Sequence, residues 1–355
     1  QADLGSGFKV PKTGANTLFF GSLMAGTSPT YLVDHFYGQP ANGPTNRDWV
    51  AVESLQMVLP PNPADEQWRG KMSDAGHSSP QGLRCEHRWY MNVDGQYDDW
   101  AIVTFDFTNN GSNPINGLYA GMIADFDIGS TPTNNTVVTD TVRRTTYMRQ
   151  STTDNPCAGF VLLEPNQFAN IGALDHARYV YPTDSCMTDG QKFRILNGTI
   201  LQRNSNRAYD WSCFVSAGPR NLPVGATWRM AVAIVGATSA GSWVAAAESA
   251  QAWYNANLMG IAEQPPVVAN ATRPLFLSPN PFRRGTFVHY YTSRAGQVEL
   301  VAYDATGREA ERQTFEVSAG TGRLYWRPQQ LGYGVYFVRV ESPDAQAVTK
   351  VLVME

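Results

Sequence analysis

The sequence predicts a mainly β protein: a large antiparallel β-sandwich with one packed helix, about residues 239–259, followed by a small immunoglobulin-like β-sandwich. Three observations support this fold class. Short runs of β-branched and aromatic residues alternate with Gly-, Asn- and Pro-rich turns along most of the chain. A single segment has clear helical spacing, and a Pro-rich stretch separates two β-rich regions.

The strand prediction for the large region depends on runs of apolar residues that are bounded by turn residues. In residues 209–219, Trp211, Cys213 and Val215 alternate on one face, as a half-buried strand requires. Residues 225–237 are almost continuously apolar, which favours a central strand that is covered on both faces. The other clear runs are WAIVTFDFTNN (100–110), LYAGMIADFDIG (118–129), TVVTDTVRRTTYMRQ (136–150) and AGFVLLEP (158–165).

The segment from Ser239 to Gly260 departs from this pattern. Trp243, Ala246, Ala247, Ala250 and Leu258 recur at helical spacing, with Trp253 or Tyr254 completing the apolar face. Ser239 or Ser242 is a suitable N-cap, and Gly260 is a suitable terminator. We therefore expect a helix that packs its aromatic face on the sandwich.

The domain prediction follows from the Pro-rich stretch. Residues 1–262 form the large sandwich with the helix at its C-terminal end, 263–274 are a linker that contains Pro265 and Pro266, and 275–355 form the small sandwich. The last region alternates apolar and polar residues in six runs, and "DATG" is its predicted hairpin turn.

Composition narrows the function class. Only 16% of the residues are charged, the net charge is −4, and no block of like charges occurs, so binding to nucleic acid is not expected. The sequence contains no apolar run of about 18 residues, so no transmembrane helix is expected. The chain begins with Gln1 rather than Met, from which we expect either a processed exported protein or a piece of a longer chain.

Four cysteines, Cys85, Cys157, Cys186 and Cys213, fit an exported chain with two disulfides. Three connectivities are open, and the expected one is Cys157–Cys186 with Cys85–Cys213. The chain has no CxxC pair, which disfavours a zinc site, while buried free thiols remain the alternative.

One group of oxygen-bearing side chains predicts a cation site. Asp125 and Asp127 share a face of a regular strand, and Asn135 and Asp140 follow beyond a turn. Such oxygens suit Ca²⁺, so these four residues are the candidate calcium ligands, although the spacing is not that of an EF-hand. The alternative is that the two aspartates accept hydrogen bonds from loop amides. No other cofactor is expected.

No catalytic motif accompanies these residues. The chain has no GxSxG, and its five histidines are scattered without an HExxH pattern, so we expect no enzyme activity. Exposed aromatic residues can stack on sugar rings, and Trp49, Trp68, Trp89 and Trp100 are the candidates for a carbohydrate-binding surface. Core filling is the alternative role for these side chains.

Residues 275–355 contain four short motifs that can be compared with known protein families. These are Pro279-Asn280-Pro281, the VELVAYDATGRE hairpin, the strand Gly334–Val340, and the terminal Lys350-Val351-Leu352-Val353. In this order they resemble the C-terminal sorting domain of the type IX secretion system, and more loosely the immunoglobulin-like domain of the hook-capping family. Arg327 and Pro328 follow Trp326 where the hook-capping family has Asp-Gly, which favours the sorting domain.

The resemblance implies a bacterial cargo that ends outside the cell or on the outer-membrane surface, with the type IX machinery as a partner. Residues 18–34, 97–129 and 225–260 resemble β-sandwich regions of uncharacterised secreted bacterial proteins, which have no assigned activity.

We therefore expect a non-catalytic, structural or adhesive protein that self-associates into a fibre or layer or contacts other surface components. Two alternatives remain. One is a carbohydrate-binding module, and the other is the accessory C-terminal region of a larger secreted hydrolase.

Overall fold

The computed structural model describes residues 8–11, 13–36, 47–93, 95, 97–180, 187–259, 275–278, 280–304, 306–343 and 346–354. The chain divides into two compact units, Gln1–Met57 with Gln67–Met259, and Val58–Glu66 with Gly260–Glu355. The first unit ends close to the predicted end of the large domain at residue 262. The predicted linker 263–274 lies outside the described residues, and the grouping of Val58–Glu66 with the second unit has no counterpart in the sequence prediction.

The large unit is built mainly from antiparallel strands, as predicted. In chain order they are β1 (Leu18–Ser28), β2 (Tyr31–Val33), β3 (Val50–Met57), β4 (Glu66–Ser73), β5 (Leu83–Met91), β6 (Trp100–Asn109), β7 (Ile115–Phe126), β8 (Asn135–Asp140), β9 (Thr145–Gln150), β10 (Cys157–Glu164), β11 (Asn170–Asp175), β12 (Trp211–Leu222) and β13 (Thr227–Ala237). Its helices are α1 (His176–Tyr179), α2 (Asp189–Leu196) and α3 (Ala240–Asn257).

Two sheets form the large sandwich. One has five strands in the order β11-β12-β7-β1-β2, and the other has eight in the order β3-β4-β5-β6-β13-β10-β9-β8. Apolar side chains from both sheets form the core between them. Trp211, Cys213 and Val215 all enter this core, which confirms their predicted common face. Strand β13 lies between β6 and β10, in the central position that its apolar sequence predicted.

Helix α3 begins and packs as predicted. Ser239 is its N-cap and exchanges hydrogen bonds with Ser242, so the two serines form a capping box. The helix packs on the eight-stranded sheet, where Trp243 is fully buried and its Nε1 donates to the carbonyl of Val235 at 3.2 Å. Gly260, the predicted terminator, lies outside the described residues.

Helix α2 covers the outer face of the five-stranded sheet and was not predicted. Its core contains Phe193, Ile195 and Leu196 together with Ile123 of β7 and Phe214 of β12. Helix α2 covers the outer face of β12 in this way, and α3 covers the outer faces of β10 and β13 in the eight-stranded sheet, so both faces of these strands are shielded from water. This explains why β10, β12 and β13 contain long apolar runs instead of strict alternation.

The described residues of the small unit form a sandwich of seven strands. These are β14 (Leu275–Ser278), β15 (Thr286–Thr292), β16 (Gly296–Tyr303), β17 (Glu309–Val317), β18 (Gly320–Trp326), β19 (Gly334–Glu341) and β20 (Gln346–Val353). They form sheets of three and four strands, β14-β15-β18 and β17-β16-β19-β20, around a shared core that includes Trp326. Asp304 organises the predicted hairpin turn by accepting hydrogen bonds from Thr306 and Arg308.

The structure contradicts the predicted Cys85–Cys213 disulfide. Cys85 lies on β5 of one sheet, Cys213 lies on β12 of the other, and both are free, buried thiols. Facing sheets are about 10 Å apart, which exceeds the Cα separation of a disulfide. Cys157 is also free and donates its thiol hydrogen to the carbonyl of Asp154. The predicted Cys157–Cys186 bond is therefore not formed, and Cys186 itself lies outside the described residues.

None of the helices among the described residues is long and apolar enough to cross a membrane.

Candidate functional site

A cavity of about 1400 Å³ lies within the large unit. Its walls come from β1 and β7 of one sheet, from β3 to β6 and β13 of the other, and from the segment Phe8–Pro11. Of the four tryptophans singled out in the sequence, Trp49, Trp89 and Trp100 line it and Trp68 does not. Trp49 and Trp100 are almost completely buried, whereas Trp89 is half-buried. Trp89 therefore offers the most accessible of these three indole rings to a ligand.

The orientation of Trp89 is fixed by a neighbour on the same strand. Its Nε1 donates to Nδ1 of His87 at 3.0 Å, and His87 also lines the cavity. An indole N–H can only donate, so Nδ1 of His87 is unprotonated in this arrangement. Burial also lowers the pKa of His87. Gly70 makes room for the imidazole, because a Cβ at that position would lie 2.8 Å from its Nε2.

Charged side chains also line the cavity, together with these aromatic residues. Glu53 on β3 accepts a hydrogen bond from Lys71 on β4 at 2.7 Å, and both residues line the cavity. Asp98 and Asp99 also line it, and burial together with the charge of Asp98 raises the pKa of Asp99. Aromatic surface with a few convergent polar groups is the usual make-up of a small-molecule site.

A second cluster lies at one end of the strands of the five-stranded sheet, and its residues are buried or half-buried. Asp125 is the penultimate residue of β7, His176 is the first residue of α1, and Asp210 immediately precedes β12. Nδ1 of His176 is 3.1 Å from Oδ1 of Asp210, and its Nε2 is 2.7 Å from Oγ of Ser212. One ligand atom from each of Asp125, His176 and Asp210 lies within 4.8 Å of the other two.

The electrostatics of this cluster reflect its burial. Burial raises the pKa of Asp125 to about 7, and the nearby carboxylates of Asp210 and Asp127 raise it while His176 opposes them. Burial alone would lower the pKa of His176, but its contact with Asp210 and the charge of Asp125 raise it above the ordinary value. The half-buried Asp127 also has a raised pKa, chiefly because of burial. The protonation of each of these groups therefore depends on the others.

Hydrogen bonds of Asn135 fix the loops that position this cluster. The Asn135 amide accepts from the backbone N–H of Ile128 and donates to the carbonyl of the same residue, both at 2.9 Å. The backbone of Asn135 bridges to that of Tyr209, next to Asp210. Asn135 therefore ties the loop after Asp127 to the chain that delivers Asp210.

An ion pair between Arg207 and Asp175 also stabilises the chain around this cluster. Arg207 makes a bidentate contact with Asp175, with both distances 2.9 Å, and its guanidinium lies over the Trp211 ring. Asp175 in turn caps α1 by accepting from the N–H of Ala177. The ends of β11 and β12 are thereby locked around His176.

The structure does not gather the four predicted calcium ligands. Asp125 and Asp127 are close to the cluster, but the Asn135 side chain is used by Ile128 and Thr131. Asp140 lies at the far end of the six-residue strand β8, about 16 Å from Asn135, and pairs with Arg143. The predicted set missed His176 and Asp210, and no local sequence pattern links them to Asp125.

Comparisons with known proteins identify no family. No protein-family model matches the chain, and no curated protein matches it in sequence. Solved structures align at low scores. A polysaccharide lyase aligns with TM-score 0.32 and 8% identity, over 96% of this chain and 40% of the lyase. A GalM/aldose epimerase homologue from C. elegans aligns with TM-score 0.31 and 8% identity, over 55% of this chain and 70% of that one.

Dimeric latent PorU from Porphyromonas gingivalis aligns with TM-score 0.21 and 13% identity, over 81% of this chain and 31% of its own. This chain thus spans less than half of the lyase and of PorU. Scores this low do not establish a shared fold.

Proposed function

We propose that this chain is a non-catalytic, secreted or surface-exposed bacterial protein that binds carbohydrate in the cavity of its large unit and acts in adhesion. The observation that carries the proposal is the half-buried Trp89, fixed by His87 in the wall of a 1400 Å³ cavity that also contains charged side chains. An oriented aromatic ring stacks on the apolar face of a sugar, while carboxylate and ammonium groups bind its hydroxyls.

The buried row of Ser212, His176 and Asp210 resembles a nucleophile with its base, yet its setting does not favour catalysis. Ser212 is 4% exposed and lies in a strand that pairs on both sides. The nearby carboxylate of Asp125 would also repel the anion that forms in acyl transfer. A non-catalytic function is consistent with this environment.

A glycan array followed by calorimetry on the best ligand tests the proposal. Trp89→Ala should weaken binding at least about tenfold, or about 1.4 kcal/mol, because the stacking surface is lost. Trp68→Ala is the matched control, since Trp68 is also half-buried in this unit but does not line the cavity, and it should leave affinity unchanged.

Two outcomes would contradict carbohydrate binding in the cavity. One is an array on which no glycan binds. The other is equal loss of affinity in Trp89→Ala and Trp68→Ala when circular dichroism shows both variants to be folded. Displacement of a hydrophobic dye without any glycan binding would instead assign the cavity to an apolar ligand.

Self-association is a second candidate function, and the exposed apolar side chains of β3 favour it. This strand forms one edge of the eight-stranded sheet and exposes Val50, Val52, Leu55 and Met57, each by 42–52%. Exposed edges with apolar side chains pair readily with strands of other chains. The partner would be a second copy of this chain in a fibre or layer.

Sedimentation over a range of concentrations tests this second function. The unaltered chain should form larger species as concentration rises, and Val52→Lys should remain monomeric because a charge on an edge strand opposes pairing. Val142→Lys is the control, since Val142 is 85% exposed in the turn between β8 and β9. A chain that stays monomeric at every concentration would exclude assembly through β3.

The small unit is proposed to be the part that the type IX secretion machinery binds. One face of its four-stranded sheet exposes Val335, Phe337, Val348 and Leu352, of which Val335 and Leu352 are cross-strand partners. An apolar surface on a small sandwich is typical of an interaction site. Export to the cell surface would place the carbohydrate cavity where adhesion requires it.

A further inference from the structure

We propose that Asp125, His176 and Asp210 bind one divalent transition-metal cation, with Zn²⁺ as the representative ion. Nδ1 of His176 and Oδ1 of Asp210 are 3.1 Å apart. Ligand atoms that share an ion at about 2.0–2.2 Å are separated by about 3 Å, so this pair already has the spacing of two ligands. The Asp125 oxygen lies within 4.8 Å of both, and a small side-chain movement would complete the set.

An unpartnered atom provides the second, independent observation. Asp125 is 8% exposed, and its Oδ1 is buried without a hydrogen-bond partner among the described residues. A buried carboxylate oxygen without a donor or cation is costly, and natural structures rarely leave one in place. A metal ion between this oxygen, His176 and Asp210 would satisfy it.

The surrounding charges also favour a cation. Asp125, Asp127 and Asp210 place three carboxylates around one imidazole, and each of these carboxylates interacts electrostatically with His176. The nearby Arg207 is already engaged with Asp175 through both of its terminal nitrogens. When its carboxyl groups are ionised, the cluster carries an excess of negative charge that a divalent ion would largely neutralise.

The ligand types distinguish this ion from the calcium that the sequence predicted. Ca²⁺ takes six to eight oxygens, whereas an imidazole nitrogen with carboxylates suits Zn²⁺ and its neighbours in the first transition series. With the metal on Nδ1, the Nε2–H of His176 would donate to Oγ of Ser212, the outer contact that metal-binding histidines usually make. The half-buried Asp127 or a water molecule would complete the coordination.

The test uses the full chain, treated with a chelator and exchanged into metal-free buffer. Titration with Zn²⁺ by calorimetry should give one site per chain, and binding should raise the melting temperature because only the folded state brings the three ligands together. Co²⁺ should give a visible absorption spectrum that Zn²⁺ displaces.

Asp125→Asn should weaken Zn²⁺ binding at least about 100-fold and abolish the rise in melting temperature, because an anionic ligand is lost. This variant should fold, since it removes a buried unpaired charge, and its metal-free melting temperature should not fall below that of the unaltered chain. Asp140→Asn is the matched control. It alters a predicted calcium ligand at the far end of β8 and should leave Zn²⁺ binding unchanged.

Three results would overturn the proposal. They are an absence of stoichiometric Zn²⁺ or Co²⁺ binding, Zn²⁺ binding that survives Asp125→Asn, and equal loss of binding in Asp140→Asn. If Ca²⁺ rather than Zn²⁺ raises the melting temperature, and Asp140→Asn abolishes the effect, the calcium site predicted from the sequence replaces this one.

Discussion

Replacing Asp34 with asparagine is expected to lower the free energy of unfolding of the large unit by about 3 kcal/mol. Asp34 is fully buried and its Oδ2 lies 2.6 Å from Nζ of Lys192, which is 2% exposed. The substitution preserves the side-chain shape but leaves a buried ammonium without its main counter-charge. Among the described residues, Asp189 would remain as an anionic contact at 3.1 Å. Urea denaturation followed by tryptophan fluorescence measures the loss.

A double-mutant cycle isolates the ion pair. Lys192→Met alone should be similarly destabilising, because it leaves Asp34 buried without the ammonium. The double variant Asp34→Asn with Lys192→Met should lose less than the two single losses combined. Asp189→Asn is the matched control and should cost under about 1 kcal/mol, since that side chain is 37% exposed. An Asp34→Asn loss no larger than the Asp189→Asn loss would contradict this account.

Replacing Trp243 with alanine is expected to cost about 3–5 kcal/mol, the range for removing a fully buried large aromatic side chain. Trp243 has no solvent exposure, stacks on Tyr147 with a centroid separation of 4.6 Å, and donates its indole N–H to Val235. Its removal would leave a cavity under α3 and remove the indole hydrogen bond to β13. Thermal and urea unfolding measure the loss.

Two variants of α3 define the contributions of packing and hydrogen bonding. Trp243→Phe keeps most of the ring but loses the N–H, so it should cost less than the alanine variant. Asn255→Ala alters an exposed position on the same helix, where the side chain accepts a hydrogen bond from the neighbouring Gln251 at the surface. This control should change stability by less than about 0.5 kcal/mol. A Trp243→Ala loss as small as that of Asn255→Ala would show that the helix is not anchored by Trp243.

The features predicted correctly are those that neighbouring residues determine. The apolar run of β13 predicted a central strand, and the serines before Trp243 predicted the start of α3, because both depend on residues close in sequence. Helix α2 was missed because it is short and polar, and its buried Lys192 makes sense only with Asp34, 158 positions earlier. The Thr188–Gln191 capping box was the local clue to its start.

The candidate sites likewise combine residues that the sequence identified with residues that only the fold brings together. The sequence identified Trp89 as a candidate by its residue type, but only the fold separates it from Trp68. Asp125 was also singled out, whereas His176 and Asp210 reach it through strand pairing between β7, β11 and β12. The predicted Cys85–Cys213 disulfide was wrong for a related reason. An even number of cysteines does not show which sheet each residue joins.

The free thiols of Cys85, Cys157 and Cys213 have a consequence for how the large unit responds to oxidising and reducing conditions. Because their sulfur atoms contribute volume to the interior rather than crosslinks, a reducing agent has no bond to break at these three positions. Burial also raises the pKa of all three thiols, to about 12 for Cys157, so they remain poor nucleophiles wherever the protein resides.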